Sequence, residues 1–378
     1  IKNPAAPRER KYASVPAYAA NEVMVLTDKE ASSAEVSINY PAFKSEATTT
    51  VAEYRNSIIR SLFVRMLNQR LQELTQKENP PFNFASGGFG SYARGYDAFS
   101  IYAGAGTSDV RKSLQALLEE VERVKRFGFT ASELERSKKT TESYYERAYN
   151  NRDKNESANF VDEYVNYFLK NEPSPGIEYE FAKVKELLPG ITIEEVNALV
   201  NKYVKGVDNR FTYITQPEPK AGEKLPETTE LLTYFTAAEK AEVKAYEDKA
   251  VASALIETKP VAGKVTATKK DAKLGTTELT LSNGIKVTLK STDFKADQIL
   301  MSSVRPGGKN GYGVADKYNA EYAVQIVQSM GVGAFSPTDL RKVLAGKTVQ
   351  VNPYISAVSE GVRGSSTVKD LETMFQMT

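Results

Sequence analysis

The chain has 378 residues, 41% hydrophobic and 26% charged, with a formal net charge of +2, a normal globular mixture long enough for two domains. It contains no histidine and no cysteine, which excludes imidazole or thiolate zinc sites, Ser-His-Asp triads, cysteine nucleophiles and a disulfide framework from this stretch of sequence. Any metal held here would rest on carboxylate and carbonyl oxygens, a set suited to calcium or magnesium.

The N-terminus, Ile1-Lys2-Asn3-Pro4, shows no signal-peptide pattern. Two strands are predicted next, over Glu22 to Thr27 and Ala34 to Tyr40, the second alternating Val36, Ile38 and Tyr40. A long amphipathic helix follows from Thr50 to Gln76, with Tyr54, Ile58, Leu62 and Met66 four residues apart, and Pro80-Pro81 ends it. Short strands between Phe82 and Ala103, punctuated by Gly87-Gly88, Gly90 and Gly95, predict a hairpin or meander. Ser108 is the expected cap of a helix whose apolar face runs from Val110 to Val124. Thr130 with Glu133, and Thr192 with Glu195, form capping-box patterns opening helices to about Asn150 and Val204. Between them Glu156 to Leu169 is a further helix ended by Pro173 and Pro175, and Arg210 to Thr215 is a closing strand.

From Pro217 to Ala272 the composition shifts. A helix over Thr236 to Ala254 is expected, capped by Thr236 and Glu239, and the Lys/Ala/Thr-rich stretch Lys259 to Lys273 reads as interdomain linker. A second region opens near Thr276: Glu278–Leu281 and Ile285–Leu289 flank Ser282-Asn283-Gly284, a hairpin signal. A strand from Gln298 to Arg305, the turn Pro306-Gly307-Gly308, helices near Ala315–Met330 and Thr338–Leu344, a strand over Thr348–Ser356 and a helix from Val368 follow. Strands adjacent in sequence predict an α+β layer, with helices on one face of a mostly antiparallel sheet. The second region restarts this plan and stops about halfway, inside or just after an amphipathic helix. Both ends therefore read as cut, and the sequence is expected to be an internal segment of a larger enzyme.

Candidate motifs reduce to structural explanations. Gly346-Lys347-Thr348 resembles the end of a phosphate-binding loop, but Arg341 stands where its first glycine belongs, and the predicted order is helix–loop–strand. Gly87-Gly88-Phe89-Gly90 lies among aromatic strand residues, with no helix directly after it. Tyr92, Arg94 and Tyr96 read as alternating strand residues, Arg70 as a salt-bridging surface residue, and Glu119-Glu120 and Glu194-Glu195 as exposed helical carboxylates. Charges of both signs interleave along the helices, unlike a nucleic-acid surface, and no apolar run reaches membrane-spanning length.

The stretch Glu278-Leu279-Thr280-Leu281-Ser282-Asn283-Gly284-Ile285-Lys286-Val287 resembles the opening hairpin of domains in the pitrilysin-like M16 zinc peptidases. The strand Ile299–Val304 with Arg305-Pro306-Gly307-Gly308, and Gly333 to Val351, look like its continuation, while the first region looks like the family's second domain. The resemblance implies the family's α+β domains, one complete copy and one truncated: a non-catalytic second domain over 1–217, a partly helical linker over 218–275 and the front of a third domain over 276–378. It implies a parent zinc metalloendopeptidase whose two halves close around a peptide substrate. The H-x-x-E-H zinc motif and the Arg/Tyr pair of the fourth domain match no position here; the helix from Asp316 to Met330 carries Glu321 but no histidine. No catalytic or metal-binding residue is carried over, zinc is expected outside the segment, and the segment is expected to be inactive. Arg70, Tyr92, Arg94 and Tyr96 become candidate chamber-wall contacts, the remaining domains its partners, and an extracytoplasmic, periplasmic location is implied by resemblance alone. A non-catalytic M16-like scaffold or peptide-binding subunit is the alternative, and an unrelated α+β binding module a third.

Overall fold

The computed structural model describes residues 6, 8–9, 13–106, 109–204, 208–220, 222, 224–252 and 254–378. Strands β1 (Glu22–Asp28), β2 (Ala34–Asn39) and β3 (Phe43–Lys44) precede helix α1 (Val51–Leu74) and the hairpin β4 (Phe84–Ala93) and β5 (Tyr96–Gly106). Helices α2 (Val110–Phe127), α3 (Ala131–Asn150), α4 (Val161–Lys170), α5 (Ile177–Leu187) and α6 (Ile193–Tyr203) lead to β6 (Phe211–Pro217) and α7 (Thr228–Lys240). Then come β7 (Val265–Asp271), β8 (Thr276–Leu281), β9 (Lys286–Lys290), β10 (Ile299–Ser302) and β11 (Arg305–Pro306). The chain continues with α8 (Lys317–Ser329), α9 (Pro337–Val343), β12 (Val349–Ile355), β13 (Ser359–Ser366) and α10 (Leu371–Met377).

The predicted caps form where side chains can reach orphan amides. Thr50 Oγ1 accepts from the Glu53 amide while the Glu53 carboxylate accepts from the Thr50 amide at 2.8 Å. Thr130/Glu133 and Thr192/Glu195 make the same reciprocal pairs. Asp109, not Ser108, caps α2; Ser108 lies outside the described residues. At the other end of α2, Gly128 turns the chain at φ 67°, a conformation a side chain would resist.

The chain divides into two compact units, one of Ile1–Lys138, Lys170–Pro173 and Glu186–Lys249, the other of Lys139–Leu169, Ser174–Lys185 and Ala250–Thr378. The first unit holds a sheet in the order β1-β6-β2-β5-β3, with β4 also on β5; its pairs are antiparallel except β1 with β6. Val36 sits opposite Ala103 and Ile214, and Ile38 opposite Ile101 and Thr212, giving the sheet a buried face. Against that face α1 packs Ile58, Leu62, Phe63, Met66 and Leu71, and α2 adds Leu114, Leu117 and Val121. Phe63 meets the rings of Phe99 and Phe129 edge-on at 6.0 and 5.3 Å.

Several stretches depart from expectation, and helix α5 over Ile177–Leu187 was not expected at all. The helix expected over Thr236–Ala254 is α7 instead, and it stops at Lys240. Leu231, Phe235 and Ala238 form its buried stripe, packed on α2, so tertiary burial outweighs the Ala/Glu/Lys composition farther on. The extended chain that follows is strapped to the first unit. Arg126 donates to the Ala241 carbonyl at 2.7 Å, Arg123 to the Lys244 carbonyl, and Arg136 pairs with Asp248 at 2.8 Å.

In the second unit, the Lys-rich stretch expected as linker forms β7, the edge of an antiparallel sheet β7-β8-β9. Its polar composition hides the alternation that marks a strand. A second sheet has β13 at its centre, with β10, β11 and β12 around it, yet β13 gave no signal in sequence. Its Gly361 lets the Ser303 carbonyl approach to within 2.0 Å of where a Cβ would stand, so serine and glycine take the place of β-branched residues.

Leu62 is fully buried in the first unit. Leu62→Ala is expected to cost about 2–5 kcal/mol, seen as an earlier denaturant-induced unfolding transition with the circular dichroism of the folded state unchanged.

Candidate functional site

Arg70 is not the surface residue expected from sequence: it is 2% exposed in the interior of the first unit. Its Nε and Nη2 donate to the two carboxylate oxygens of Glu133 at 2.7 and 2.9 Å, and Nη2 also reaches the Gly128 carbonyl at 3.0 Å. Glu120 Oε1 lies 3.6 Å from Nη1. The guanidinium carbon stands 4.7 Å from the Phe129 ring centroid and 4.3 Å from that of Tyr246. This arrangement positions α1, the α2–α3 turn and the strap. Glu120 is likewise no exposed carboxylate; burial pushes its carboxyl above the usual range, against the pull of Arg123 and Arg70. Of the other acidic pair, Glu195 is spent on its capping box and on Arg55, at 2.6 Å.

Tyr92, Arg94 and Tyr96 gather at the tip of the β4–β5 hairpin, where Gly95 turns at φ 80°. Tyr92 and Arg94 are exposed, Tyr96 half-buried, and Arg94 has no ion pair among the described residues. The tip borders the face of the sheet that the helices leave open. Burial, and then a hydrogen bond with Tyr92, raise the Tyr18 phenol, and Tyr18 in turn stacks on Phe211 at 5.3 Å.

Strand registry assembles the rest of that face. One row runs Met24, Tyr213, Ser37, Tyr102 and Ser86; the next runs Leu26, Thr215, Glu35, Gly104 and Phe84. Met24, Leu26, Phe84, Tyr102 and Tyr213 are all exposed, and Phe84 meets Tyr102 edge-on at 6.3 Å. The sequence reading passed over these residues, although their signal was present. Tyr102 and Tyr213 are large aromatics at the outward positions of strands whose inward neighbours are Ile101, Ala103, Thr212 and Ile214.

The open face can offer aromatic and apolar surface to an extended chain. Glu35 is the one carboxylate in these two rows, without a second acidic group beside it to form an acid–base pair. Among the described residues no cluster of three or more His, Cys, Asp or Glu could hold a metal ion. The phosphate-loop lookalike at Gly346 lies between α9 and β12, so no helix N-terminus faces a ligand there.

Residues 1–141 match the family model of the peptidase M16 inactive domain. A zinc protease PQQL-like protein of Arabidopsis thaliana is 28% identical over 332 residues, 88% of this chain and 31% of that protein. A probable zinc protease PqqL of Haemophilus influenzae is 22% identical over 87% of this chain and 35% of its own length. Among solved structures, the periplasmic protease PqqL of Escherichia coli superposes with a TM-score of 0.60 at 20% identity, covering 99% of this chain and 41% of that one. A mutant of the ferredoxin protease FusC, in complex with Arabidopsis ferredoxin, gives 0.57 at 19% identity over 99% of this chain and 41% of that one. The chain thus spans about a third of the length of the curated relatives it matches.

Breaking a buried ion pair strands its partner's charge, so Arg70→Ala is expected to cost about 3–5 kcal/mol. Arg94→Ala at the exposed tip is expected to stay within about 0.5 kcal/mol of the parent chain. Thermal unfolding of the two variants side by side checks both.

Proposed function

Because this chain belongs to the pitrilysin-like M16 peptidase family, we propose that it forms part of the wall and hinge of the peptide-enclosing chamber of a zinc metalloendopeptidase. The observation that carries this reading is the aromatic open face of the sheet, borne by a domain whose sequence matches the M16 inactive-domain model. An extended substrate laid along that face would bury apolar side chains on Tyr102, Tyr213 and Phe84, with Tyr92, Arg94 and Tyr96 at its margin. Arg70, buried, acts by holding the scaffold. We assign 1–217 to the second domain, 218–275 to the linker and 276–378 to the front of the third.

The residues here do not fit zinc, since histidine and cysteine are absent from the sequence and no acidic cluster replaces them among the described residues. The metal implied by relatives named zinc proteases belongs, in this reading, to a part of the parent outside the segment. The zinc-bound water and its general base would lie there as well. An extracytoplasmic location is supported by the periplasmic description of the E. coli structure. No described helix is long and apolar enough to cross a membrane.

Metal analysis and peptide cleavage separate the alternatives. The parent protein is expected to hold zinc stoichiometrically and cleave peptides, while the 378-residue segment does neither. Stoichiometric zinc or metal-dependent hydrolysis in the segment would sink the assignment, and a parent without zinc would favour the non-catalytic peptide-binding subunit. Within an active parent, replacing Tyr102 and Tyr213 with serine is expected to raise KM severalfold with kcat little changed, the mark of lost uniform binding.

A further inference from the structure

The second unit contains a cleft of about 840 Å³, within the size range of ligand sites. Tyr144 and Arg147 of α3, Phe160, Glu163 and Tyr164 at the start of α4, and Glu180 of α5 contribute to its walls. The Phe160 and Tyr164 rings stack at 6.0 Å with an interplanar angle of 15°, and Tyr164 is well exposed.

The charged groups around the cleft divide into those already satisfied and those left over. Arg152 pairs with Glu178 at 3.1 Å and lies over the Tyr149 ring. Asp297 accepts from Asn150 Nδ2 at 3.0 Å and from the Val368 amide at 2.9 Å, and Lys295 donates to the Lys154 carbonyl at 3.0 Å. What remains is asymmetric. Glu163 accepts only the Ser174 hydroxyl, the Glu180 carboxylate accepts no hydrogen bond among the described residues, and neither has a cationic partner. Both line the same cleft, and burial together with repulsion from Glu163 raises the Glu180 carboxyl. Arg147 is exposed and makes no ion pair among the described residues.

Two uncompensated carboxylates beside a pair of aromatic faces favour the same guest, since both the negative charge and the ring quadrupoles attract a cation. A bare metal ion fits less well, because no third ligating carboxylate is at hand among the described residues. We propose that this cleft is a peptide-binding site for a basic residue. The Lys or Arg side chain lies against Glu163, Glu180 and the Phe160–Tyr164 rings, and Arg147 meets a carbonyl or carboxylate of the same peptide. This rests on the chamber reading only in taking the ligand to be a peptide.

The test is fluorescence anisotropy on the full chain, in EDTA, with a labelled hexapeptide carrying phenylalanine followed by lysine, and a counterpart with glutamine in place of lysine. The lysine peptide is expected to bind about tenfold or more tightly than its counterpart, the discrimination of a charge-assisted contact. Glu163→Gln combined with Glu180→Gln is expected to abolish that preference. Its melting temperature should hold or rise, because a like-charge repulsion is removed, so misfolding would not explain the loss. Tyr164→Ala should weaken the lysine peptide more than the glutamine one. Equal binding of the two peptides, no binding by the folded chain, or a preference that survives the double substitution would overturn the proposal. Zinc and cleavage in the parent are read separately. An active parent whose segment lacks the preference refutes the cleft alone, and a preference in a segment whose parent lacks zinc refutes the chamber reading alone.

Discussion

The Arg70–Glu133 pair is the contact on which the first unit depends. A guanidinium buried this deeply would cost several kcal/mol if left alone, and it is tolerated because both carboxylate oxygens of Glu133 and the Gly128 carbonyl receive it. Glu133 also caps α3 by accepting from the Thr130 amide at 2.8 Å. One carboxylate therefore fixes where α3 starts and where α1 lies against it. The Tyr246 ring also lies against the guanidinium, and its hydroxyl donates to Glu73, at 2.9 and 3.0 Å, so the strap is held by the same cluster.

That arrangement commits the helices to one side of the sheet and leaves the other side open. With α1, α2 and α7 occupied in the core, the opposite face keeps Met24, Leu26, Phe84, Tyr102 and Tyr213 in solvent. Exposed aromatics in register across several strands carry a cost in solubility that a monomeric surface rarely bears without use. The role proposed for them is recognition of a chain laid along the sheet. The division of labour proposed for the chain, with surface here and metal elsewhere, agrees with a composition lacking every usual zinc ligand but carboxylate.

Much of the fold was legible in advance because its signals were local. Thr50, Thr130 and Thr192, each with a glutamate three residues on, marked helix starts that the structure reproduces. Leu62 and its neighbours gave the face of α1, and Asn283-Gly284 the hairpin of β8 and β9. Where the signal was not local, sequence reading failed. β7 carries lysine and threonine where apolar alternation was sought, β13 is rich in serine and glycine, and α7 is placed by its fit on α2. The candidate residues divided along the same line: Tyr92, Arg94 and Tyr96 do lie together at an exposed tip, whereas Arg70 went inside.

By itself the sequence determined the class of the fold, the positions of the capped helices and the absence of imidazole and thiolate chemistry, since each follows from residue type and short-range spacing. The tertiary structure alone decided which charges are buried, which aromatics face solvent and which carboxylates are left without a cation. Those properties depend on segments far apart in the chain, such as Arg70 and Tyr246 or Met24 and Tyr213. Burial and pairing are set by what packs against a residue, and no spacing within one segment records that.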